Sequence, residues 1–377
     1  MTYELELATK VSLVDHHCHS VMGGDLDHDE LESLLTESDW PPPAGTSNFD
    51  SPVGIAVRSF CSPLLGLAPN SSAAEYVAVR DRLGAQQVNE RLLQATGIDK
   101  FLIETGASHP SMLTVAELEQ TSGKPCQTIA RLEVIAESII NTAESAEDFN
   151  LKLAGALDEA AATGRGFKSI IAYRYGLDFD PDRPGQAEVA AAVEGLLAQR
   201  DVGTWKGRLA DPVLMRHLIW EAVDRRRPLQ FHVGYGDSDI NLYRCDPTRM
   251  TEFIRRTRTS GSDIMLLHCY PFQREAAFLA QVYPHVYLDT GAAMAFTGFA
   301  SDALVRESLE LAPFGKILFS SDAYGLSELY LCNVGLWRRA IGRIFGEWVS
   351  EGVLSHSDAE RYINAIAHGN AERVYSL

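Results

Sequence analysis

The chain has 377 residues, of which 46% are hydrophobic, and a formal net charge of −18. That is enough chain for a large buried core, and α/β barrels with insertions reach such lengths as one domain. The acidity speaks against a nucleic-acid surface or an anionic membrane as partner, and no run of ~18 apolar residues offers a membrane span.

The opening MTYELELATK has acids where a secretory signal needs basic and then apolar residues, so a cytoplasmic location is expected. Six cysteines lie scattered without CxxC spacing, which predicts neither a disulfide framework nor a thiolate zinc site. A small-molecule substrate is the expected partner, with a homo-oligomer left open.

In chain order, residues 11–20 (VSLVDHHCHS) read as a strand running into Asp15, His17 and His19. Side chains two apart on a strand share a face, so His17 and His19 project together, Asp15 sits behind them, and His16 points away and should tolerate change. Residues 23–72 look irregular, with Trp40 leading into three prolines, and predict either a lid or locally folded helical pieces. His28 within them is expected at the solvent surface. Residues 73–96 read as one helix, 99–105 as a second strand ending near Glu104, and 111–121 as a helix followed by a further one. The third strand is placed at 129–137, with acids at Glu133 and Glu137, and a helix at 146–163 leads to a fourth strand at 167–173.

From there the alternation is plain. A helix at 186–200 and another opened by Asp211 and Pro212 precede the fifth strand, 229–233 (LQFHV). Helix 251–258 precedes the sixth strand, 263–269 (DIMLLHC), and helix 272–282 the seventh, 286–290. Helix 301–311 precedes the eighth, 316–322 (KILFSSD), and the remainder is helical. Eight short apolar strands, each followed by helical sequence, predict an α/β fold closed as a (β/α)8 TIM barrel. Its expected organisation is one domain over 1–377, with an insertion at 23–72 after the first strand and extra C-terminal helices at 326–377. A doubly wound open sheet is the alternative, but it would want a Gly-rich phosphate loop after the first strand, and none is present.

Polar residues then stand at the ends of several strands: His17 and His19 on the first, Lys168 on the fourth, His232 on the fifth, His268 on the sixth and Asp322 on the eighth. In an α/β barrel these ends converge on one mouth, where active sites lie. A histidine inside LQFHV or MLLHC is costly in an apolar core unless it has work there. The set predicts a divalent metal site.

The pattern of DxHxH at residues 15–19, with Lys168, His232, His268 and Asp322, resembles the amidohydrolase superfamily over nearly the whole chain. The resemblance implies that His17, His19, His232 and Asp322 bind metal, with zinc the default and manganese, iron or nickel also suited to the donors. It leaves two states for Lys168: a carboxylated lysine bridging two metals, with His268 on the second, or a cation gripping a substrate carboxylate beside one metal, with His268 orienting the water. The bridge is the reading taken here. Implied with it are attack of a metal-activated hydroxide and proton transfer by Asp322.

Substrate clues are thinner. Tyr173 and Arg174 end the fourth strand, and Arg174 suits a carboxylate or an internal ion pair. Glu328 suits a substrate amine, or the first turn of a helix near Ser327. GFKSIIAYR, FHVGYGD, LLHCYPF and FSSDA together resemble the amidohydrolase-like portion of FluG and nodulin-type glutamine-synthetase fusion proteins. That kinship implies a stand-alone relative acting on a γ-glutamyl or other amino-acid amide. The function expected is hydrolysis of a carbon–nitrogen bond in a small molecule. The alternative is a one-metal decarboxylase of the same superfamily, and a non-catalytic binding protein is the weakest of the three.

Overall fold

The computed structural model describes residues 6–107 and 109–377. Its sheet has seven parallel strands in sequential order: β1 (Leu13–Cys18), β2 (Ile98–Glu104), β3 (Cys126–Arg131), β4 (Gly166–Ser169), β5 (Leu229–Val233), β6 (Ile264–His268) and β7 (Val286–Leu288). The expected eighth strand forms no continuous ladder, yet its backbone closes the ring. Leu318 N donates to Leu288 O at 3.0 Å on one side, and on the other Asp322 N donates to His17 O at 3.0 Å and His19 N to Ala323 O at 2.9 Å. The architecture is the (β/α)8 barrel. Val14, Leu102, Ile129, Met265, Leu267, Tyr287 and Leu318 form one apolar cluster in it, joined by Ala371 and Tyr375 from the C-terminal helix Asn370–Tyr375.

Several expected boundaries move, each for a local reason. The third strand is Cys126–Arg131, and the helix Leu132–Ile140 starts at once, so residues 129–137 straddle a junction. Leu132, Glu133, Ala136, Ile139 and Ile140 are its buried positions, which is helical rather than alternating spacing. Glu133 and Glu137 are therefore helical residues, and Arg131 is the true strand end. Residues 73–96 split into Ala73–Leu83 and Ala85–Ala95 at Gly84, whose φ of 77° a side chain would resist. The helix Val115–Ser122 ends at Gly123 in the left-handed conformation and leads directly into β3, without the additional helix. β4 stops at Ser169, and Ile171–Arg174 is one helical turn that lifts Tyr173 and Arg174 over the barrel mouth.

The insertion is largely folded. It contains the helices His28–Ser33 and Pro52–Leu64 and the short turn Asn48–Asp50. Asp27 caps the first through a reciprocal box with Glu30. His28 is exposed, stacks on Phe49 and lies 3.8 Å from Glu32, clear of the barrel mouth. The C-terminal region is the 24-residue helix Ser327–Ser350, then His356–Asn364, a π-helical turn and Asn370–Tyr375. No described helix is long and apolar enough to cross a membrane.

Candidate metal centre

β1 carries a bulge. Asp15 pairs with Phe101 and Cys18 with Ile103, so three steps on one strand face two on the other. The extra residue defeats simple alternation. His17 and His19 still converge, but His16 is also buried, with Nε2 2.7 Å from Asp289 Oδ2 and Nδ1 3.0 Å from Tyr375 Oη. His16 does not face the helical layer, and its expected tolerance to substitution has no structural basis. Asp15 stays behind the ligands as anticipated. Its carboxylate accepts from Ser321 N at 3.0 Å and from Ser321 Oγ, tying β1 to the eighth segment. Burial pushes that carboxyl up to about 7.

Asp322 is the hub. Its Oδ1 lies 2.9 Å from His17 Nε2 and 3.2 Å from His19 Nε2, and its Oδ2 lies 3.2 Å from His268 Nδ1. The donor atoms of His17, His268 and Asp322 all fall within 4.8 Å of one another. His232 packs beside them, its ring centroid 4.6 Å from that of His268. Its Nε2 is buried without a hydrogen-bond partner, as are Nδ1 of His19 and Nδ1 of His268. Orphaned imidazole nitrogens around a carboxylate are what a divalent cation satisfies. The tightest set thus includes His268 where the family pattern favoured His232.

The electrostatics agree with that fit. Burial, with the Lys168 charge, pulls His17 down to about 4. Burial likewise holds His232 and His268 well below the usual imidazole range, so all three keep free lone pairs at neutral pH. Burial would raise Asp322, but the imidazoles of His268, His17 and His19 gathered around it hold it well below the usual carboxylate range. Gly291, at a φ of 36°, leaves room for His268, since a Cβ there would collide with Nδ1. Asp322, His268 and Cys269 sit at φ of 49°, 69° and 61°, where non-glycine residues are strained and which is common at functional sites.

Residues absent from the sequence reading support this set. Gln230, one residue from Phe231 in an apolar strand, offers Oε1 to His17 Nδ1 at 2.8 Å, which directs Nε2 at the centre. Its Nε2 donates to His16 O and Tyr375 Oη, both at 2.9 Å. Asp289 accepts from His268 N at 2.6 Å. Glu104 ion-pairs with Arg131 and lies 3.4 Å from His19 Nδ1. Glu104 and Asp289 stand at strand ends, the signal already used for the histidines. Arg131 was hidden by the misplaced end of its strand.

The centre lies in a cavity of about 520 Å³. Lys168 is fully buried in its wall, and burial pulls its ammonium down to about 8. Tyr173 and Arg174 line the cavity, Tyr173 against the His232 ring at 4.4 Å and Arg174 at 3.6 Å from Glu137. From the insertion comes Glu37, half-buried at the mouth, whose carboxyl burial pushes up to about 7. Nothing periodic in its surroundings marks it in the sequence. Glu328 is not in the cavity. It is buried at the start of Ser327–Ser350, accepting from Arg80 Nε at 2.8 Å and Tyr76 Oη at 3.0 Å, so an internal cation already occupies it.

A TIM barrel whose strand ends converge on a His-His-Asp donor set defines a metal-dependent enzyme of the amidohydrolase class. The chain belongs to the amidohydrolase family (Amidohydro_2, "Amidohydrolase"), whose model matches residues 141–377. It is 26% identical to Protein fluG of Emericella nidulans over 404 aligned positions, covering 97% of this chain and 46% of that protein. The chain therefore spans about half the length of this curated relative. Among solved structures it resembles a Lactobacillus casei protein described provisionally as a metal-dependent hydrolase, with a TM-score of 0.88 and 27% identity over 100% of this chain and 98% of the other. The fold is shared with a uronate isomerase of Thermotoga maritima, at a TM-score of 0.68 and 11% identity over 98% and 96% of the two chains. The family implies a divalent metal and a small-molecule substrate.

Proposed function

We propose that this protein is a cytoplasmic metal-dependent hydrolase that cleaves the carbon–nitrogen bond of a small amide, with a γ-glutamyl or other amino-acid amide as the substrate class. In this reading the whole chain is one catalytic barrel domain and the insertion is its lid. The observation that carries the reading is the convergence of His17, His268 and Asp322 within 4.8 Å, flanked by unpartnered nitrogens of His19 and His232.

His17, His19, His232, His268 and Asp322 would hold the metal, zinc by the imidazole-rich donor set. When bound, the metal supplies Lewis acidity at the scissile carbonyl and makes water nucleophilic near neutral pH. Asp322, ionised across the working range, takes a proton from the attacking water and passes it to the leaving nitrogen. His268, 3.2 Å from Asp322, holds the carboxylate in line for that transfer. Lys168 is suited to carboxylation because that reaction needs a neutral amine. With its ammonium pulled down to about 8, roughly a tenth of the side chains are neutral at pH 7. A new bond from Nζ to CO2, with loss of a proton, would turn the lysine into a bridging carboxylate for two ions.

The test is metal analysis of the purified holoprotein together with amine release from a panel of amino-acid amides. Amide turnover with close to two ions per chain is the expected result. One ion with CO2 release from a small acid would replace this reading by the decarboxylase, which the arginines lining the cavity could also serve. Asp322→Asn should lower turnover about 10³-fold with metal still bound. Near-normal turnover in that variant would remove Asp322 from proton transfer.

A further inference from the structure

The cavity above the metal centre carries its charges in two separate groups. Arg131 ends β3 and Arg174 ends the helical turn after β4, and the cation acting most strongly on Arg174 is Arg208, with Glu137 and Glu133 the acids nearby. Arg174 is only loosely satisfied. Among the described residues its ion pair with Glu137 is 3.6 Å long, and its buried Nε has no hydrogen-bond partner. Arg208 is engaged by Asp239 at 2.7 Å and Arg131 by Glu104, although Arg131 Nε is also buried without a hydrogen-bond partner among the described residues; of these three guanidiniums Arg174 has the longest ion pair.

The second group is acidic and belongs to the mouth. The charges that act on Glu37 are Asp322, Asp237 and Asp39, with no cation among them. Asp237 comes from the loop after β5, and Ser238 beside it donates to Asp39, so the insertion is fastened to that loop. Glu37 itself makes no hydrogen bond or ion pair among the described residues. Tyr324 lines the same cavity. Asp237 has Arg208 acting on it and Glu37 has no cation, and an acidic mouth in the same cavity as a loosely paired guanidinium is complementary to a ligand carrying both signs.

We propose that Glu37 and Asp237 bind the ammonium, and Arg174 the carboxylate, of a zwitterionic amino-acid amide, so that the insertion selects the substrate. This rests on the hydrolase reading above and adds to it a charge code and a specificity residue outside the barrel.

The test uses zinc-loaded full-length protein and three probes: L-glutamine, its N-acetyl derivative and 4-aminobutanamide, which lacks the carboxylate. Binding is followed by calorimetry and amide cleavage by ammonia release. Glutamine should bind roughly 10- to 100-fold more tightly than either analogue. Glu37→Gln should erase the preference over the N-acetyl derivative and Arg174→Met the preference over 4-aminobutanamide. Equal binding of all three probes, binding of none, or intact preferences in both variants would overturn the proposal. Equal binding accompanied by ammonia release would overturn it while leaving amide hydrolysis standing. Selective glutamine binding with no release from any amide would support the charge code and remove the hydrolase reading instead.

Discussion

Gln230 shows how a single side chain sets a metal ligand's direction. The amide oxygen fixes the proton of His17 on Nδ1, and that alone leaves Nε2 as the free donor facing Asp322. The amide nitrogen anchors the same group to His16 O and Tyr375 Oη. Gln230→Leu should therefore weaken metal binding about 10- to 100-fold, measured by competition with a chelator. Gln230→Glu, which keeps an acceptor toward Nδ1, should lose less. Equal affinities in all three proteins would mean that His17 needs no orientation. His16 belongs to this network through Tyr375, which is why it is buried with both ring nitrogens engaged.

At the scale of elements, two ionisable groups do not line the cavity and test packing alone. Glu328 fastens the helix Ser327–Ser350 to the helix Ala73–Leu83 through Arg80 and Tyr76. Removing its charge leaves Arg80 buried without a counter-ion, so Glu328→Gln should cost about 3–5 kcal/mol in urea unfolding. Turnover per folded molecule should be unchanged, because the residue does not line the cavity. His285, just before β7, is held at about 4 by burial, and Nε2 lies 3.3 Å from Thr257 Oγ1. An unfolded histidine takes up its proton near 6.5. Between those values the unfolded chain binds more protons than the folded one, so acidification destabilises the protein through this group. His285→Gln should gain stability relative to the parent as pH falls from 6.5 to 4, by up to about 3 kcal/mol. A pH-independent difference between the two unfolding curves would remove His285 from this account.

At the scale of the molecule, the barrel encloses a set of polar groups beside its apolar cluster. His16, His17, Gln230, His268, Asp289 and Asp322 are drawn from β1, β5, β6, β7 and the eighth segment, and the centre links them. A ligand that binds only the folded state stabilises it by mass action. Free metal at a hundred times its dissociation constant should add about 2.7 kcal/mol, and chelation should lower the melting temperature and abolish turnover together. Calorimetry with and without chelator reads both. An unchanged melting temperature after verified metal loss would show that the ring holds itself without the ion.

The barrel, its strand order and the candidate ligands were legible in the sequence because they rest on local periodicity. Short apolar runs followed by helical patterns specify parallel units, and a polar residue ending such a run has only the mouth to face. His17, His19, Lys168, His232, His268 and Asp322 were found that way. What packing decided could not be read locally. The bulge in β1 turns His16 inward because its pairing with β2 slips by one residue, and pairing is a property of two strands. Glu328 looked available for a substrate until Arg80, far away in the chain, filled its carboxylate. Glu37 looked like one more acid in an irregular insertion, and only the fold carries it to the barrel mouth beside Asp237. The sequence by itself determined where a metal could be held. The tertiary structure decided which partners orient the candidate ligands and which charges line the cavity, because both depend on contacts between segments hundreds of residues apart.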